Sequence, residues 1–422
     1  MKNTSKTITK IFFLSFISFH CAFIYSQSPF NFQEYLKATL SRHASILNNP
    51  KTHKLQIVYT QINRDENNQP AFKTYSYIPF KAYVYPASTV KLPVTVGALI
   101  KLNELKDTKL SLQSAMFTDS IFPCHRKVTK DTSSFSKLPS LESYLKKMWL
   151  VSDNLSCARV YEFVGCDYLH KQLSNYGFKN IRIHNKLDIS CEADTAKISP
   201  PIVFLSPNGD TIYKQAFIPA AYKEPHPIAK SEAGTSHRNT KGKKQAGPKD
   251  FSLHNYFHIE DLHEMMKRLV FNPYLKPEEQ FPISNSDRLF VLKQAGMMPR
   301  ESVSPLYDKK QYYDSYKKYF IYGSSVATIK GDSVRVFNIV GRAYGFLIDC
   351  AYIVDYKNKI EFLLTAAVFV NQRNDIGGGR YEYELKGLPF LRDLSLSLYD
   401  LERQRKKKVI PDLKEFNLFD GH

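Results

Sequence analysis

Strand-like segments lie near both ends of the 422-residue chain and enclose a mostly helical middle at about 100–330. The strand-like segments, rich in β-branched and aromatic residues, are 54–62, 72–85, 333–340, 344–356 and 359–371. The segments with helical periodicity are 32–47, 88–105, 141–149, 154–164, 259–270, 286–294 and a final helix with Leu391, Leu394, Leu398 and Leu401 on one face. This order predicts an α+β fold in which N- and C-terminal segments form one antiparallel sheet flanked by helices.

Two parts of the middle have distinctive compositions. The segment 88–105 is apolar almost all round, which is typical of a helix buried inside a domain. The segment 200–250 combines many prolines with glycine, serine and lysine, and we expect a long loop or insertion there, partly disordered at about 224–250. We therefore expect one folded domain at 27–405, followed by a basic C-terminal tail at 406–422.

The N-terminus has the pattern of an export signal. Lys2, Lys6 and Lys10 precede an apolar run at 11–24, and Ser26 is a small residue suited to cleavage before Gln27. The bulky residues before Cys21 disfavour a lipoprotein site at that cysteine. We therefore predict a signal peptide at 1–26 and a periplasmic or extracellular protein.

Charge and cysteine content limit the possible partners. Lys and Arg exceed Asp and Glu by 59 to 40, giving a net charge of +19 that is compatible with an anionic polymer or envelope surface. The chain has no spacing typical of nucleic-acid-binding motifs, so we expect no nucleic-acid partner. Five cysteines would remain in the mature chain, an odd number without metal-ligand spacing, and we expect no metal and no cofactor. The sequence predicts no oligomeric state.

A Ser-x-x-Lys tetrad at Ser88 and Lys91 begins the apolar helix. The three-residue spacing places both side chains on one helical face, where the amine can accept the serine proton. The tetrad alone is a weak signal, because it recurs at Ser134/Lys137, Ser143/Lys146 and Ser315/Lys318, where we expect exposed surface residues.

Two further motifs follow in order. Ser152-Asp153-Asn154 lies between two predicted helices, and Phe337-Asn338-Ile339-Val340-Gly341 ends a predicted strand. With these motifs the chain resembles the penicillin-recognising serine hydrolases, which comprise class A β-lactamases and penicillin-binding transpeptidases and D,D-peptidases. The resemblance spans about 54–401.

The resemblance implies a role for each matched residue. Ser88 would be the acylated nucleophile and Lys91 its activator. Ser152 would relay a proton to the leaving nitrogen, and Asn154 would hold Lys91 and the substrate amide. The backbone amides of Ser88 and of Arg342, which follows Gly341, would form the oxyanion hole.

The third motif departs from the family pattern of Lys-Thr/Ser-Gly, whose lysine and hydroxyl bind the substrate carboxylate. Here the matching residues are Ile339, Val340 and Gly341, so the glycine is retained and the charge is not. Arg342 or Arg335 would have to supply the missing charge, or carboxylate recognition is weak.

Class A enzymes also need a glutamate that activates the deacylating water. Glu192 lies at about the expected place but lacks the usual Glu-x-x-x-Asn continuation, and an exposed loop glutamate is the alternative interpretation. The sequence thus predicts an exported serine hydrolase of the β-lactamase type that hydrolyses β-lactams. A D,D-peptidase or transpeptidase acting on cell-wall peptides, or an impaired envelope-binding protein on the same scaffold, are the alternatives.

Overall fold

The computed structural model describes residues 30–183, 185–187, 193–222, 228, 230–331 and 333–419. The predicted signal peptide and Glu192 lie outside the described residues. Phe32–His422 groups into one compact unit. Within the described ranges, no helix has the length and apolar character required to cross a bilayer.

The described chain contains both helices and strands. The α-helices are α1 (Phe32–Thr39), α2 (Ala44–Leu47), α3 (Lys91–Glu104), α4 (Leu141–Val151), α5 (Asn154–Val164), α6 (Cys166–Asn175), α7 (Ala193–Ala196), α8 (Ile259–Phe271), α9 (Asn285–Gly296) and α10 (Leu388–Gln404). The strands are β1 (Gln56–Arg64), β2 (Pro70–Tyr77), β3 (Ala115–Thr118), β4 (Ile202–Leu205), β5 (Thr211–Gln215), β6 (Glu232–Ala233), β7 (Ser236–Arg238), β8 (Lys244–Ala246), β9 (Lys249–Asp250), β10 (Val334–Ala343), β11 (Phe346–Asp355), β12 (Ile360–Phe369) and β13 (Asp375–Ile376). Single 3₁₀ turns occur at Ser41–His43, Ala87–Val90, Lys106–Thr108, Asn272–Tyr274, Pro277–Glu279, Pro299–Glu301 and Lys414–Phe416, and a π-turn at Tyr383–Gly387.

The main sheet has five strands in the order β10-β11-β12-β1-β2, and every pairing is antiparallel. Strand β1 closes it by pairing with β12, with Tyr59 opposite Leu364. The predicted α+β fold, with its sheet formed by N- and C-terminal segments, is confirmed. Strand β10 lies at one edge, so one side of its backbone is left for other partners.

Helices cover both faces of this sheet. Neighbouring residues of a strand point to opposite faces, and Tyr59 and Thr60 show which helix lies on each. The Tyr59 hydroxyl donates to Glu402 of α10, whereas the Thr60 hydroxyl contacts the His263 ring of α8 at 2.8 Å. All ten residues of β11 and all ten of β12 are consequently buried.

Helix α3 lies at the centre of the helical middle, as its all-round apolar pattern predicts. It packs against α5 and α6, and the side chains of Leu92, Val96 and Leu99 are at most 1% exposed. The 3₁₀ turn Ala87–Val90 leads directly into α3 and also packs against β10. The start of this buried helix is thereby placed beside the edge of the main sheet.

The described residues of the predicted loop at 200–250 include six short strands, and partial disorder at about 224–250 stays a prediction. These strands, β4 to β9, pair with one another and with the distant strands β3 and β13. Proline and glycine favour turns, and here the turns separate strands of two to five residues. Such short strands have little periodicity of their own, and their partners lie far away in the sequence.

The C-terminal stretch also differs from the predicted tail at 406–422. Leu413 and Phe416 are buried, and the Phe416 ring contacts those of Phe271 and Tyr352. The Tyr274 hydroxyl donates to Glu415 at 2.6 Å. Two apolar side chains among lysines are thus enough to fix this segment to the core.

Candidate active site

Ser88 lies in the 3₁₀ turn Ala87–Val90 at the entrance to α3. The preceding residue, Ala87, has φ of +48°, a left-handed conformation that is uncommon for a residue other than glycine. The Thr89 hydroxyl donates to the Pro86 carbonyl at 2.6 Å and fixes this turn. The backbone therefore holds the serine in a strained turn, and such strain is concentrated at functional sites in proteins.

The second motif forms the junction between α4 and α5. Ser152 ends α4 with φ of +63°, and the Asp153 carboxylate caps α5 by accepting the Ser156 amide at 2.6 Å. The left-handed residue reverses the chain direction, and the cap starts the next helix at once. The side chains of Ser152 and Asn154 are thus presented at the junction.

The structure brings Ser88, Lys91, Ser152 and Asn154 together, and the Lys91 amine is at the centre of the cluster. Its Nζ lies within hydrogen-bond distance of four oxygens: Ser88 Oγ at 2.7 Å, Ser152 Oγ at 2.9 Å, the Ser152 carbonyl at 2.9 Å and Asn154 Oδ1. Ser88 Oγ also lies 3.4 Å from Asn154 Oδ1. Lys91 is 0% exposed. The buried amine is therefore within hydrogen-bond distance of both hydroxyls, which is the arrangement needed for acyl transfer.

Gly341 allows the edge strand β10 to lie close to the 3₁₀ turn that carries Ser88. A Cβ atom at this position would lie 2.5 Å from the Pro86 carbonyl oxygen and 3.3 Å from the Ala87 side chain. The absence of a side chain therefore permits the approach of β10 to the residues just before Ser88. The oxyanion hole formed by the amides of Ser88 and Arg342 stays a prediction that fits this proximity.

The two arginines considered as replacements for the third-motif lysine are both paired with glutamates. Arg342 donates to Glu384 at 2.6 Å and its side chain is 41% exposed. Arg335 donates to Glu301 at 2.8 Å and lies six residues before Gly341, roughly 20 Å along the strand. Arg335 is therefore too distant to contact a substrate bound at Ser88.

The segment leading toward Glu192 is anchored by a buried charge cluster, although Glu192 itself is not described. The Lys186 amine donates to Glu162 at 2.8 Å and lies 2.8 Å from His125 Nε2. Burial and the nearby Lys186 charge lower the pKa of His125 to about 4. The role of Glu192 as a deacylation base stays a prediction.

The other three Ser-x-x-Lys tetrads do not form serine–lysine pairs. Their serines are buried, not exposed as expected: Ser134 and Ser143 form hydrogen bonds at turns and helix caps, and the Ser315 hydroxyl donates to the Ser325 carbonyl. Lys318 is buried as well, and its amine donates to Asn338 at 3.0 Å. The polar residues around these three tetrads predicted exposure, because tertiary contacts leave no pattern in the local sequence.

Sequence reasoning missed Lys317, whose amine lies beside the cluster. Its Nζ donates at 3.0 Å to the carbonyl of Trp149, three residues before Ser152, and its positive charge interacts with that of Lys91. Lys317 belongs to none of the three motifs. The only signal in the sequence is a pair of lysines within a run rich in tyrosine at 312–322.

The cluster has the arrangement that serine acyl transfer requires, and comparison with known proteins identifies the family. A family model described as the β-lactamase enzyme family matches residues 41–281, more than half of the chain. The chain therefore belongs to the β-lactamase enzyme family, which confirms the resemblance drawn from the motifs. No curated protein sequence matches it.

Several solved structures are similar to this chain at low identity. A β-lactamase from Sphaerobacter thermophilus is 10% identical, with a TM-score of 0.44, and the match covers 88% of this chain and 98% of that one. A β-lactamase from Xanthomonas campestris is 11% identical, with a TM-score of 0.45 and coverage of 87% and 98%. A penicillin-binding protein, PBP-A, is 13% identical, with a TM-score of 0.44 and coverage of 86% and 97%.

Proposed function

We propose that this protein is an exported serine hydrolase of the β-lactamase type that is acylated at Ser88 by β-lactams and hydrolyses them. The observation that carries the proposal is the 2.7 Å contact between the buried Lys91 amine and Ser88 Oγ. Membership of the β-lactamase enzyme family supports the same substrate class.

The geometry supports a specific acylation sequence. Uncharged Lys91 accepts the Ser88 proton as Oγ bonds to the carbonyl carbon of the β-lactam. The ring C–N bond then breaks, and the nitrogen receives a proton from the Ser152 hydroxyl, which is replenished by the Lys91 ammonium at 2.9 Å. The products are an ester on Ser88 and an amine, with Lys91 uncharged again.

Deacylation decides between hydrolysis and long-lived acylation. Water must attack the Ser88 ester, and we propose Glu192 as the base that takes its proton. Without such a base the acyl-enzyme persists, and the protein is then a penicillin-binding D,D-peptidase or transpeptidase that acts on cell-wall peptides.

Export is part of the proposal and is supported by cysteine chemistry. Cys124 is disulfide-bonded, whereas Cys157 and Cys350 are buried free thiols. Disulfides persist mainly in oxidising compartments such as the periplasm or the extracellular space. The intact mass of the purified mature protein should correspond to a chain that begins at Gln27, and a mass that includes lipid on Cys21 would contradict cleavage there.

A basic cavity favours a second candidate function, the binding of an anionic envelope polymer. The cavity has a volume of about 810 Å³ and is lined by Lys81, Lys179, Arg182, Lys230 and His258, among others, with Glu260 as the acidic residue. None of the four clustered residues lines it. An inactive binder would use such a surface and would not need a nucleophile.

The test is intact-protein mass spectrometry of the mature protein with a fluorescent penicillin and a chromogenic cephalosporin, beside Ser88→Ala. Turnover that the variant loses supports a β-lactamase. A lasting adduct that the variant loses indicates the penicillin-binding alternative. No adduct and no turnover would overturn the enzyme proposal in favour of the envelope-binding protein.

A further inference from the structure

The Lys317 amine lies at the same helix end as the catalytic cluster. Helix α4 ends at Val151, and the carbonyls of its last turn have no partner within the helix. Lys317 Nζ donates to one of them, that of Trp149, at 3.0 Å, while Lys91 Nζ donates to the Ser152 carbonyl at 2.9 Å. The negative end of the helix dipole thus attracts two amines to neighbouring positions.

The backbone around Lys317 is held in place by the main sheet. Lys317 has φ of +64°, and its carbonyl accepts the Asn338 side-chain amide at 2.9 Å. The same Asn338 amide donates to Asp349 at 2.9 Å, and Asp349 also accepts the Phe320 amide at 3.0 Å. Asn338, the residue before Ile339 on β10, therefore fixes the segment that carries Lys317 in a conformation that is unfavourable for a residue other than glycine.

The Lys317 amine is short of negative partners. The residue is 8% exposed, and among the described residues no carboxylate forms a hydrogen bond or ion pair with it. Burial and the positive charges of Lys91 and Lys318 hold the pKa of Lys317 well below its usual range, and the Asp349 carboxylate opposes this shift only weakly. An anion that reached this amine would relieve the unfavourable charge and occupy its free N–H donors.

The residues of β10 are less suited to bind an anion beside Ser88. Ile339 and Val340 carry no charge. Arg335 lies roughly 20 Å from Gly341 along the strand, and Arg342 is partly exposed and paired with Glu384. Lys317 is buried beside Lys91, and one of its N–H groups binds the Trp149 carbonyl while the others can bind an anion.

We propose that Lys317 is the residue that binds the carboxylate of the substrate that acylates Ser88. The inference rests on the proposed function and deepens it, because it makes an anionic substrate the preferred one. A lysine from the segment between α9 and β10 thereby performs the task for which the strand itself has no charged residue.

The experiment compares benzylpenicillin with its methyl ester, which lacks the carboxylate. Second-order rates of acylation are measured by intact mass for the wild type, Lys317→Met and Lys317→Arg. We expect the wild type to react with the acid about 10- to 100-fold faster than with the ester, the range of a charged hydrogen bond. Lys317→Met should lose this preference, and Lys317→Arg should keep part of it.

Lys146→Met is the matched control, because it removes a partly exposed lysine of α4 that pairs with Glu142. It should keep the wild-type preference for the acid. Equal rates for acid and ester in the wild type would overturn the proposal. An equal loss for both substrates in Lys317→Met would do the same, because the residue would then act only through the fold or through Lys91.

A second readout does not depend on acylation. Binding of the acid and the ester to Ser88→Ala is measured by calorimetry, with and without Lys317→Met. The acid should bind at least about 10-fold more tightly than the ester, and this preference should disappear in Lys317→Met. If the acid binds more tightly than the ester but the wild type is not acylated, the proposed function is refuted and carboxylate binding by Lys317 is not. Equal binding of acid and ester would refute the role of Lys317.

Discussion

At the residue scale, Lys91 is the amine on which the proposed chemistry depends. Removing it leaves Ser88 Oγ without the base 2.7 Å away, so Lys91→Met should acylate about 10²- to 10⁴-fold more slowly. The rate of adduct formation with a fluorescent penicillin measures this loss. Lys101→Met is the control on the same helix, because the Lys101 amine binds the Phe163 carbonyl at 2.6 Å, away from the cluster. Wild-type rates in Lys91→Met would exclude it as the base.

A substitution at Gly341 tests whether the turn that carries Ser88 depends on the close approach of β10. In Gly341→Ala the new methyl group would meet the Pro86 oxygen at 2.5 Å, so strand and turn must separate. We expect a loss of about 1–3 kcal/mol in the free energy of unfolding, together with slower acylation. Ile339→Val, buried on the same strand, should lose about 1 kcal/mol and keep its acylation rate. Unchanged acylation in Gly341→Ala would show that the contact is structural.

The sequence predicted the four clustered residues because helix periodicity and order along the chain are local signals. Ser88 and Lys91 lie three residues apart on one helical turn, and Ser152 and Asn154 lie at a helix junction. Lys317 could not be predicted in the same way. Its position depends on a left-handed backbone and on tertiary hydrogen bonds from β10, which leave no periodic pattern in its own segment.

At the element scale, the junction between α4 and α5 positions two residues of the cluster. Asp153→Ala removes the cap of α5 and should cost about 1 kcal/mol. Because Ser152 and Asn154 flank the cap, acylation should also slow by more than the stability loss explains. Unfolding by urea and adduct formation, measured on the same samples, separate the two effects.

Two variants serve as controls for that prediction. Asp153→Asn keeps a capping oxygen and should restore most of the acylation rate. Ser140→Ala removes the cap at the opposite end of α4, where Ser140 accepts the Ser143 amide at 3.1 Å, and should cost similar stability without slowing acylation. Equal acylation in Asp153→Ala and Ser140→Ala would mean that the cap does not position the site.

Long elements were predictable and short ones were not. Helix α3 and strands β11 and β12 each bury at least ten residues, so their long apolar runs indicate buried elements from the sequence alone. Strand β6 has two residues and pairs with β9, and β13 pairs with β7 across more than a hundred residues. Pairings of that kind are determined by tertiary structure, and composition alone indicated a loop.

At the scale of the whole molecule, a buried histidine links the main sheet to α8. His263 Nε2 lies 2.8 Å from the Thr60 hydroxyl of β1, and Nδ1 lies 2.8 Å from the Thr365 hydroxyl of β12. Burial lowers the pKa of His263 to about 3, with smaller and opposite effects of the Glu264 and Lys267 charges. The folded protein therefore keeps this ring neutral at pH values where an unfolded chain would protonate it.

The sign of the resulting pH dependence follows from that difference. Below about pH 6.5 the unfolded chain binds a proton at this histidine that the folded protein binds only near pH 3, so acid removes stability. Asp349, whose pKa burial raises to about 7, has the opposite effect between about pH 7 and 4. The total pH dependence of unfolding thus mixes opposing contributions from several groups, His125 among them, and a difference between two proteins is needed to separate them.

Comparing the wild type with His263→Gln isolates the histidine, because every other titrating group is common to both proteins. At pH 7.5 the variant should be less stable by about 1–3 kcal/mol, since the buried Thr60 and Thr365 hydroxyls lose well-placed partners. This gap should shrink by about 1.4 kcal/mol per pH unit between pH 6 and 4, because only the wild type loses stability through protonation of His263 when unfolded. Urea unfolding at each pH measures the gap. A constant gap would mean that the folded protein accepts the proton at His263, and the ring would then be charged between the sheet and α8.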